Sequence, residues 1–399
     1  MVISMNIVEK WTQSSLVLKI IIFLIIGIIL GFTVPKWSFI GFFGEIFVNA
    51  LKAIAPLLVF ALVSSSISKA KSGIGSRFKI VIFLYLLSTF LAALIAVFFS
   101  YTFPVSIHLT TAINATAPNI NNELSNLVLS VFSNPIGLLS QGQYLGILFW
   151  SVVFGFALKK VASSNTMNVL NDCASAITKV VEGIIQFAPI GIMGLVFTSI
   201  SKSGVEIFIQ YGQLIFLLVL CIVVVAFIMN PIISAILLKR NPYPLVFTCF
   251  RESGITAFFS RSSAANIPIN MKLCQRLGLN EDFFSISIPL GAAINMDGAA
   301  ITITVMTLAI CHTIGITIPL HITILLCVIS TLAACGASGV TGGSMLLVPM
   351  ACSLFGVNSD IAMQAVAVGF IIGVIQDSCE TTLNSASDVL FTATAEYYN

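Results

Sequence analysis

ITILLCVISTLAACGASGVTGGSMLLVPMACSLF, residues Ile322–Phe355, is apolar at both ends and broken in its middle by Gly336-Ala337-Ser338-Gly339-Val340-Thr341-Gly342-Gly343. Each flank is too short to cross a hydrocarbon core, which takes about 20 helical residues. Two half-helices meeting at a tip at membrane depth fit this pattern. Backbone that leaves the helix at that depth must be buried in protein or line a watery cavity. Pro244–Leu277 has the same character, with Gly254, the run Ser260-Arg261-Ser262-Ser263 and Pro268 as interruptions. Between these candidate hairpins, Phe283–Ile294 and Ala299–Ile316 are apolar and separated by Asn295-Met296-Asp297-Gly298, which reads as an unwound helix centre. Interrupted segments in corresponding positions of two halves mark a transporter's binding region.

Composition agrees with a membrane setting. The chain is 58% hydrophobic and 8% charged, whereas soluble domains carry about 25% charged residues. A net charge of +3 gives no basis for a nucleic-acid partner. Nine Cys are scattered without metal spacing or a disulfide framework. Further apolar runs predict spans at about 16–34, 42–67, 80–103, 140–158, 180–200 and 211–238, the first being a transmembrane helix and not a cleaved signal. Lys69, Lys71, Arg77 and Lys79, then Lys159 and Lys160, then Lys239 and Arg240 all fall inside if the N-terminus is cytoplasmic. The polar stretch Ser106–Gln141 is then external, a loop without chemistry. Its Asn114-Ala115-Thr116 is a weak glycosylation triplet.

The acids carry the functional signal. After Arg276 there is no Lys or Arg for 123 residues, yet Asp297, Asp377, Glu380 and Asp388 lie inside apolar, helix-length segments. A carboxylate at bilayer depth costs several kcal/mol unless compensated. Bound cations, a substrate amine, protons, or basic residues from earlier in the chain are the available compensators. Asp377, Thr381, Asn384 and Asp388 recur at i, i+4, i+7 and i+11 and share one helical stripe, with Glu380 beside it. These features point to a cation-coupled carrier. An intramembrane hydrolase, with Asp297 and Asp377 as a dyad or Ser262 as nucleophile, is the contrasting class, and no G-x-S-x-G or G-x-G-D supports it.

Asn295-Met296-Asp297-Gly298, Arg261-Ser262-Ser263 and the Asp377…Asn384…Asp388 stripe, in that register, resemble the dicarboxylate/amino acid:cation symporters, which include the glutamate transporters. The likeness is strongest to the serine/threonine:sodium branch. It implies an all-α polytopic fold: eight transmembrane helices and two re-entrant hairpins (about 244–277 and 322–355) in inverted repeats, an elevator architecture, and a homotrimer. The scaffold would be about 16–67 and 140–200, and the transport domain about 80–103 and 211–396. The implied setting is a bacterial inner membrane with both termini cytoplasmic.

The resemblance also implies ligand sets. One sodium would use Gly291, Asn295, Asn384 and Asp388. A second would use Asp297 and Asn295 with Tyr85, Ser88 and Thr89, since Tyr85-Leu86-Leu87-Ser88-Thr89 matches the family's Tyr-x-x-Thr-Ser. A third would lie between Ala293 and the backbone of 334–337, where this chain lacks the hydroxyls many relatives carry. The amino-acid substrate would meet Ser262, Ser263, Val340 and Gly342 through its carboxylate, Asp377 through its ammonium, and Thr381 and Asn384. Hairpin tips suit a carboxylate because half-helix N-termini present free N–H groups. Glu380 stands where acidic-substrate relatives carry Arg, so small neutral amino acids are expected, and Arg261 is expected to pair with Glu380.

Overall fold

The computed structural model describes residues 16–69, 76–107, 132–141, 144–203, 206–316, 318–335 and 342–398. Among them there is no strand. The helices are α1 (Leu16–Thr33), α2 (Phe39–Lys69), α3 (Ser76–Thr102), α4 (Pro135–Gln141), α5 (Tyr144–Val161), α6 (Ser164–Gln186), α7 (Ala188–Ser203), α8 (Glu206–Val224), α9 (Asn230–Leu238), α10 (Tyr243–Cys249), α11 (Ile255–Ser260), α12 (Ser263–Arg276), α13 (Glu281–Ile294), α14 (Asp297–Thr313), α15 (Leu320–Ala334), α16 (Gly343–Ser353) and α17 (Ser359–Tyr397). Two π-helical turns, Val225–Met229 and Phe250–Gly254, join α8 to α9 and α10 to α11. By length and composition, four described stretches can cross a membrane: Arg77–Thr102, Ile209–Leu238, Glu281–Thr313 and Ser359–Tyr397.

Two bodies result. In the first, α7 packs on α1 and α2, and α2 also packs on α5 and α6. Small residues make the seam: a Cβ on Gly194 would lie 2.5 Å from the Gly44 nitrogen, so the backbones touch. In the second, α14 is the axle. Every residue from Asp297 to Cys311 is buried, enclosed by α3, α15, α16 and α17. Some hydroxyls inside this body are satisfied locally, as when Thr307 and Thr331 donate to the carbonyls of Ile303 and Cys327 at 2.7 Å. Large apolar side chains face outward instead: Phe83, Phe98, Ile209 and Phe259 are all more than 60% exposed. That inversion suits lipid as the outer solvent.

Two opposite ends can be identified. At one end Arg77, Arg240, Glu396 and Tyr397 line a common recess. There the Arg240 guanidinium lies 5.0 Å from the Tyr397 ring centroid. Tyr397 Oη donates to the Leu277 carbonyl at 2.9 Å, and Glu396 accepts from the Asn280 N–H at 2.9 Å. At the far end of α3, Tyr101 Oη donates to the Ile318 carbonyl and the Ile107 N–H donates to Thr313 Oγ1, both at 2.9 Å. The α10–α12 pair is therefore rooted at the end where α3 begins, and α15–α16 at the end where α3 finishes. Both nevertheless reach Asp377, through Arg261 and Gly342.

The expected unwound centre is present: Asn295 (φ −94°, ψ 79°) and Met296 (φ −120°, ψ 51°) leave the helix between α13 and α14. The span expected at 180–200 is not one straight helix. α6 stops at Gln186 and α7 resumes at Ala188 with a 53° bend, because Pro189 has no N–H to continue the ladder. α6 itself, capped by Ser163, extends well before that expected span. Within the stretch read as a loop, Pro135–Gln141 is helical and Ser106 and Ile107 bond to the end of α14. The triplet at 114–116 lies outside the described residues.

Candidate functional site

Asp388 sits on α17 facing the break between α13 and α14. Its Oδ1 accepts from Asn295 Nδ2 at 2.9 Å, and its Oδ2 is buried with no hydrogen-bond partner. The same Asn295 nitrogen reaches Ser387 Oγ at 2.8 Å and the Asn384 carbonyl at 3.3 Å. Gly291 closes the pocket: a Cβ there would stand 2.6 Å from Asp388 Oδ1 and 2.9 Å from Tyr85 Oη. Only a residue without a side chain lets the carboxylate approach that backbone. A buried carboxylate oxygen without a donor is a costly arrangement. Hard oxygens with no basic partner in the pocket suit a hard cation such as sodium, which wants oxygen ligands as calcium and magnesium do.

Asp297, the first residue of α14 and two residues beyond Asn295, is fully buried. Its Oδ1 accepts from Ser88 Oγ at 2.8 Å and Thr89 Oγ1 at 3.2 Å, and its Oδ2 from Asn230 Nδ2 at 2.9 Å. Ser88 also reaches Asn295 Oδ1 at 3.2 Å, so Asn295 joins the two carboxylate pockets. Tyr85 divides between them. Its carbonyl accepts from Ser88 and Thr89, but its hydroxyl contacts Thr392 Oγ1 at 2.9 Å and the carbonyls of Ser287 and Asp388 at 3.2 Å. The phenol therefore lies on the Asp388 side, and only the backbone of Tyr85 faces the Ser88 and Thr89 hydroxyls.

Asp377 meets both helix pairs. Arg261 Nε donates to its Oδ2 at 2.8 Å, and the Gly342 N–H lies 3.4 Å from its Oδ1. The expected Arg261–Glu380 pair is thus corrected: Arg261 pairs with Asp377. At the end of α11, Arg261 takes the left-handed backbone (φ 52°, ψ 32°), which ends that helix short of Asp377. Glu380 is satisfied by neutral donors instead. Its Oε2 accepts from Thr302 at 2.7 Å, from Ser344 at 2.8 Å and from Gln376 Nε2.

The remaining candidates are also positioned. Ser262 Oγ caps α12 by accepting from the Ala265 N–H at 3.2 Å, and Ser263 is buried as its first residue. Thr381 Oγ1 donates to the Asp377 carbonyl at 2.8 Å. Asn384 accepts from the Gly298 N–H at 2.7 Å, while its Nδ2 faces only the Met296 sulfur at 3.4 Å, a weak acceptor. Gly342 has φ +71°, and a Cβ there would meet the Phe370 ring at 2.9 Å. Val340 lies outside the described residues, as do 336–341 generally, so only the beginning of the expected third sodium pocket is described. There Cys335 Sγ lies 3.6 Å from the Ile294 carbonyl. Asn230, Thr302, Ser344 and Gln376 were not singled out from the sequence. Asn230 stood as an isolated polar residue in an apolar run, and Gln376 directly precedes Asp377, which were the available signals.

The chain matches the family model described as the sodium:dicarboxylate symporter family over residues 16–397. It is 53% identical over 392 residues to the serine/threonine transporter SstT of Streptococcus thermophilus, covering 98% of this chain and 97% of the relative. The protein of that name from Streptococcus agalactiae is 53% identical over 391 residues, covering 97% of each. The one from Bifidobacterium adolescentis is 52% identical over 395 residues, covering 98% of this chain and 92% of the relative. These relatives are transporters, which removes the hydrolase reading. With the family matched from the first described helix to the last, the chain belongs to the sodium:dicarboxylate symporter family.

Proposed function

We propose that this protein imports small neutral amino acids by sodium symport, with serine and threonine favoured over alanine and with glutamate and aspartate rejected. The observation that carries the reading is Asp377. Two helix pairs rooted at opposite ends converge on this one buried carboxylate, beside two further carboxylates met by neutral hydroxyl and amide donors. The names of the relatives supply serine and threonine.

Asp377 takes the substrate ammonium, since a buried charge needs a partner. The N–H groups opening α12 and α16, at Ser262, Ser263 and Gly342, take the carboxylate together with Asn384 Nδ2. Thr381 borders the substrate side chain. Glu380 repels a second carboxylate, because like charges brought together in a dry site disfavour binding. Sodium is held by Asp388, Asn295 and the carbonyls of Gly291 and Asn384, and by Asp297 with Ser88, Thr89, Asn295 and the Tyr85 carbonyl. Its charge compensates the carboxylates and so couples ion to substrate.

The paired helices are re-entrant hairpins within eight spans, the second being the outer gate. The body built on α14 and α17 moves against the α1–α2–α5–α7 scaffold in a homotrimer. Ile371, Ile372, Val374 and Ile375 face Ile21, Leu24, Val196 and Ile200 across an apolar groove of about 350 Å³ between them, a surface suited to sliding. The basic residues at the Arg77–Arg240 end support the reading that this end, with both termini, faces the bacterial cytoplasm.

Sodium-driven uptake of labelled serine into proteoliposomes tests this. Threonine should compete well, alanine less, and glutamate and aspartate poorly. Glutamate competing as well as threonine would move the protein to the acidic-substrate branch. Uptake driven by a pH gradient in the absence of sodium would replace the coupling ion.

A further inference from the structure

Asn230 lies outside every motif that marks the cation sites, yet it is fully buried against Asp297. Its placement has a local cause. Pro231 has no N–H, so the Phe227 carbonyl four residues earlier loses its helical donor. Tyr243 Oη donates to that carbonyl instead, at 3.0 Å. The Asn230 N–H reaches back five residues to the Val225 carbonyl, closing the π turn Val225–Met229. One extra residue in a turn rotates the next stretch of helix, and π turns recur at functional sites for that reason. Here the rotation delivers the Asn230 amide to the carboxylate at the break between α13 and α14.

The orientation of that amide is set by its neighbour. An ionised carboxylate only accepts, so the nitrogen faces Asp297 Oδ2, at 2.9 Å. The amide oxygen Oδ1 is then the free end, and it is buried with no hydrogen-bond partner. An orphaned buried acceptor costs about 1–3 kcal/mol unless a donor or a cation meets it. The groups gathered around Asp297 are the hydroxyls of Ser88 and Thr89, and Ser88 also contacts Asn295 Oδ1. Both hydroxyls already donate to Asp297. What the cluster presents is oxygen lone pairs.

We propose that Asn230 is a ligand of the cation held at Asp297, its amide oxygen completing the set formed by Asp297, Ser88, Thr89 and Asn295. This rests on the sodium-coupled reading above. The eighth and ninth helices thereby join the cation site, and ion occupancy bears on the π turn and on Tyr243 at the start of hairpin one.

Sodium titration of the purified protein without amino acid, followed by the thermal midpoint, tests the ligand role. Asn230→Leu should raise the half-saturating sodium concentration about tenfold, a loss of about 1.4 kcal/mol, and should change the lithium-to-sodium preference. Serine affinity at saturating sodium should stay within about twofold. A sodium midpoint and ion preference unchanged in Asn230→Leu would overturn the proposal. If that variant does not fold, crystals of the wild-type protein soaked in thallous ion decide. An anomalous peak bonded to both Asp297 and Asn230 Oδ1 supports the assignment, and a peak at Asp297 with a water on Asn230 Oδ1 overturns it. Wild-type protein that gains no stability from sodium and takes up serine without it would instead sink the coupling reading itself.

Discussion

Asp377 and Asp388 lie on the same helix with all but a few per cent of their surfaces buried, and their charges are handled in opposite ways. Asp377 is held by a guanidinium from the end of α11 and an N–H from the start of α16. Asp388 has one amide donor, a second oxygen with no partner and a glycine where a side chain would collide with it. Asp377 is thus an internal ion pair, which on the proposed reading a substrate ammonium has to open or share. Asp388 is a buried carboxylate with one oxygen unmatched, which on the same reading a cation meets. Breaking a buried pair by removing one partner costs about 3–5 kcal/mol, and a buried carboxylate oxygen left without a donor is costly too. On that reading the ion and the substrate address separate deficits about three turns apart, bridged by Asn384 and Asn295.

Removing the acid from the incomplete side should have the largest effect. Asp388→Ala is expected to cut sodium-coupled serine uptake more than about a hundredfold, the scale of losing a buried charge partner, with the protein still in the membrane. Sodium dependence like that of the wild type would mean that Asp388 is not a coupling ligand.

On the paired side, Arg261→Met should destabilise the substrate-free protein by about 3–5 kcal/mol. Serine should then raise the thermal midpoint more in the variant than in the wild type, because the substrate ammonium fills the vacancy. Equal serine shifts in both proteins would show that the pair stays closed during binding.

Gly291→Ala puts a methyl 2.6 Å from Asp388 Oδ1. It should raise the half-saturating sodium concentration about tenfold, about 1.4 kcal/mol, with serine affinity at saturating sodium little changed. Sodium titration of uptake reads this directly. The smallest effect concerns the acid nearest the pair. Glu380→Gln keeps an oxygen for Thr302 and Ser344 and removes the charge, so aspartate should compete with serine about fivefold better, a gain of about 1 kcal/mol from relieved repulsion. Unchanged aspartate competition would place the specificity elsewhere.

Much of this was legible in the residues. Pro and Gly punctuation marked the interrupted helices within 244–277 and 322–355 and the break at Asn295–Met296, because a helix that loses its ladder within an apolar run has few other reasons to do so. The carboxylates were conspicuous because Lys and Arg vanish after Arg276. The bend at Phe187 was less visible, since apolarity continues across it and only Pro189 signals the change. Asn230 was missed because a single amide in an apolar helix looks the same whether it binds a neighbouring helix or an ion.

Sequence alone determined that the chain is helical and membrane-spanning, where its helices break, and which acids lie in its interior, since these depend on local composition and on a helical period that any window displays. Tertiary structure decided which partner each acid takes. Arg261 is 116 residues from Asp377 and Asn230 is 67 from Asp297. No periodicity spans such separations. The choice between Asp377 and Glu380, one turn apart on α17, was made by the direction in which α11 ends at Arg261 and by the hydroxyls of α14 and α16 that already occupy Glu380.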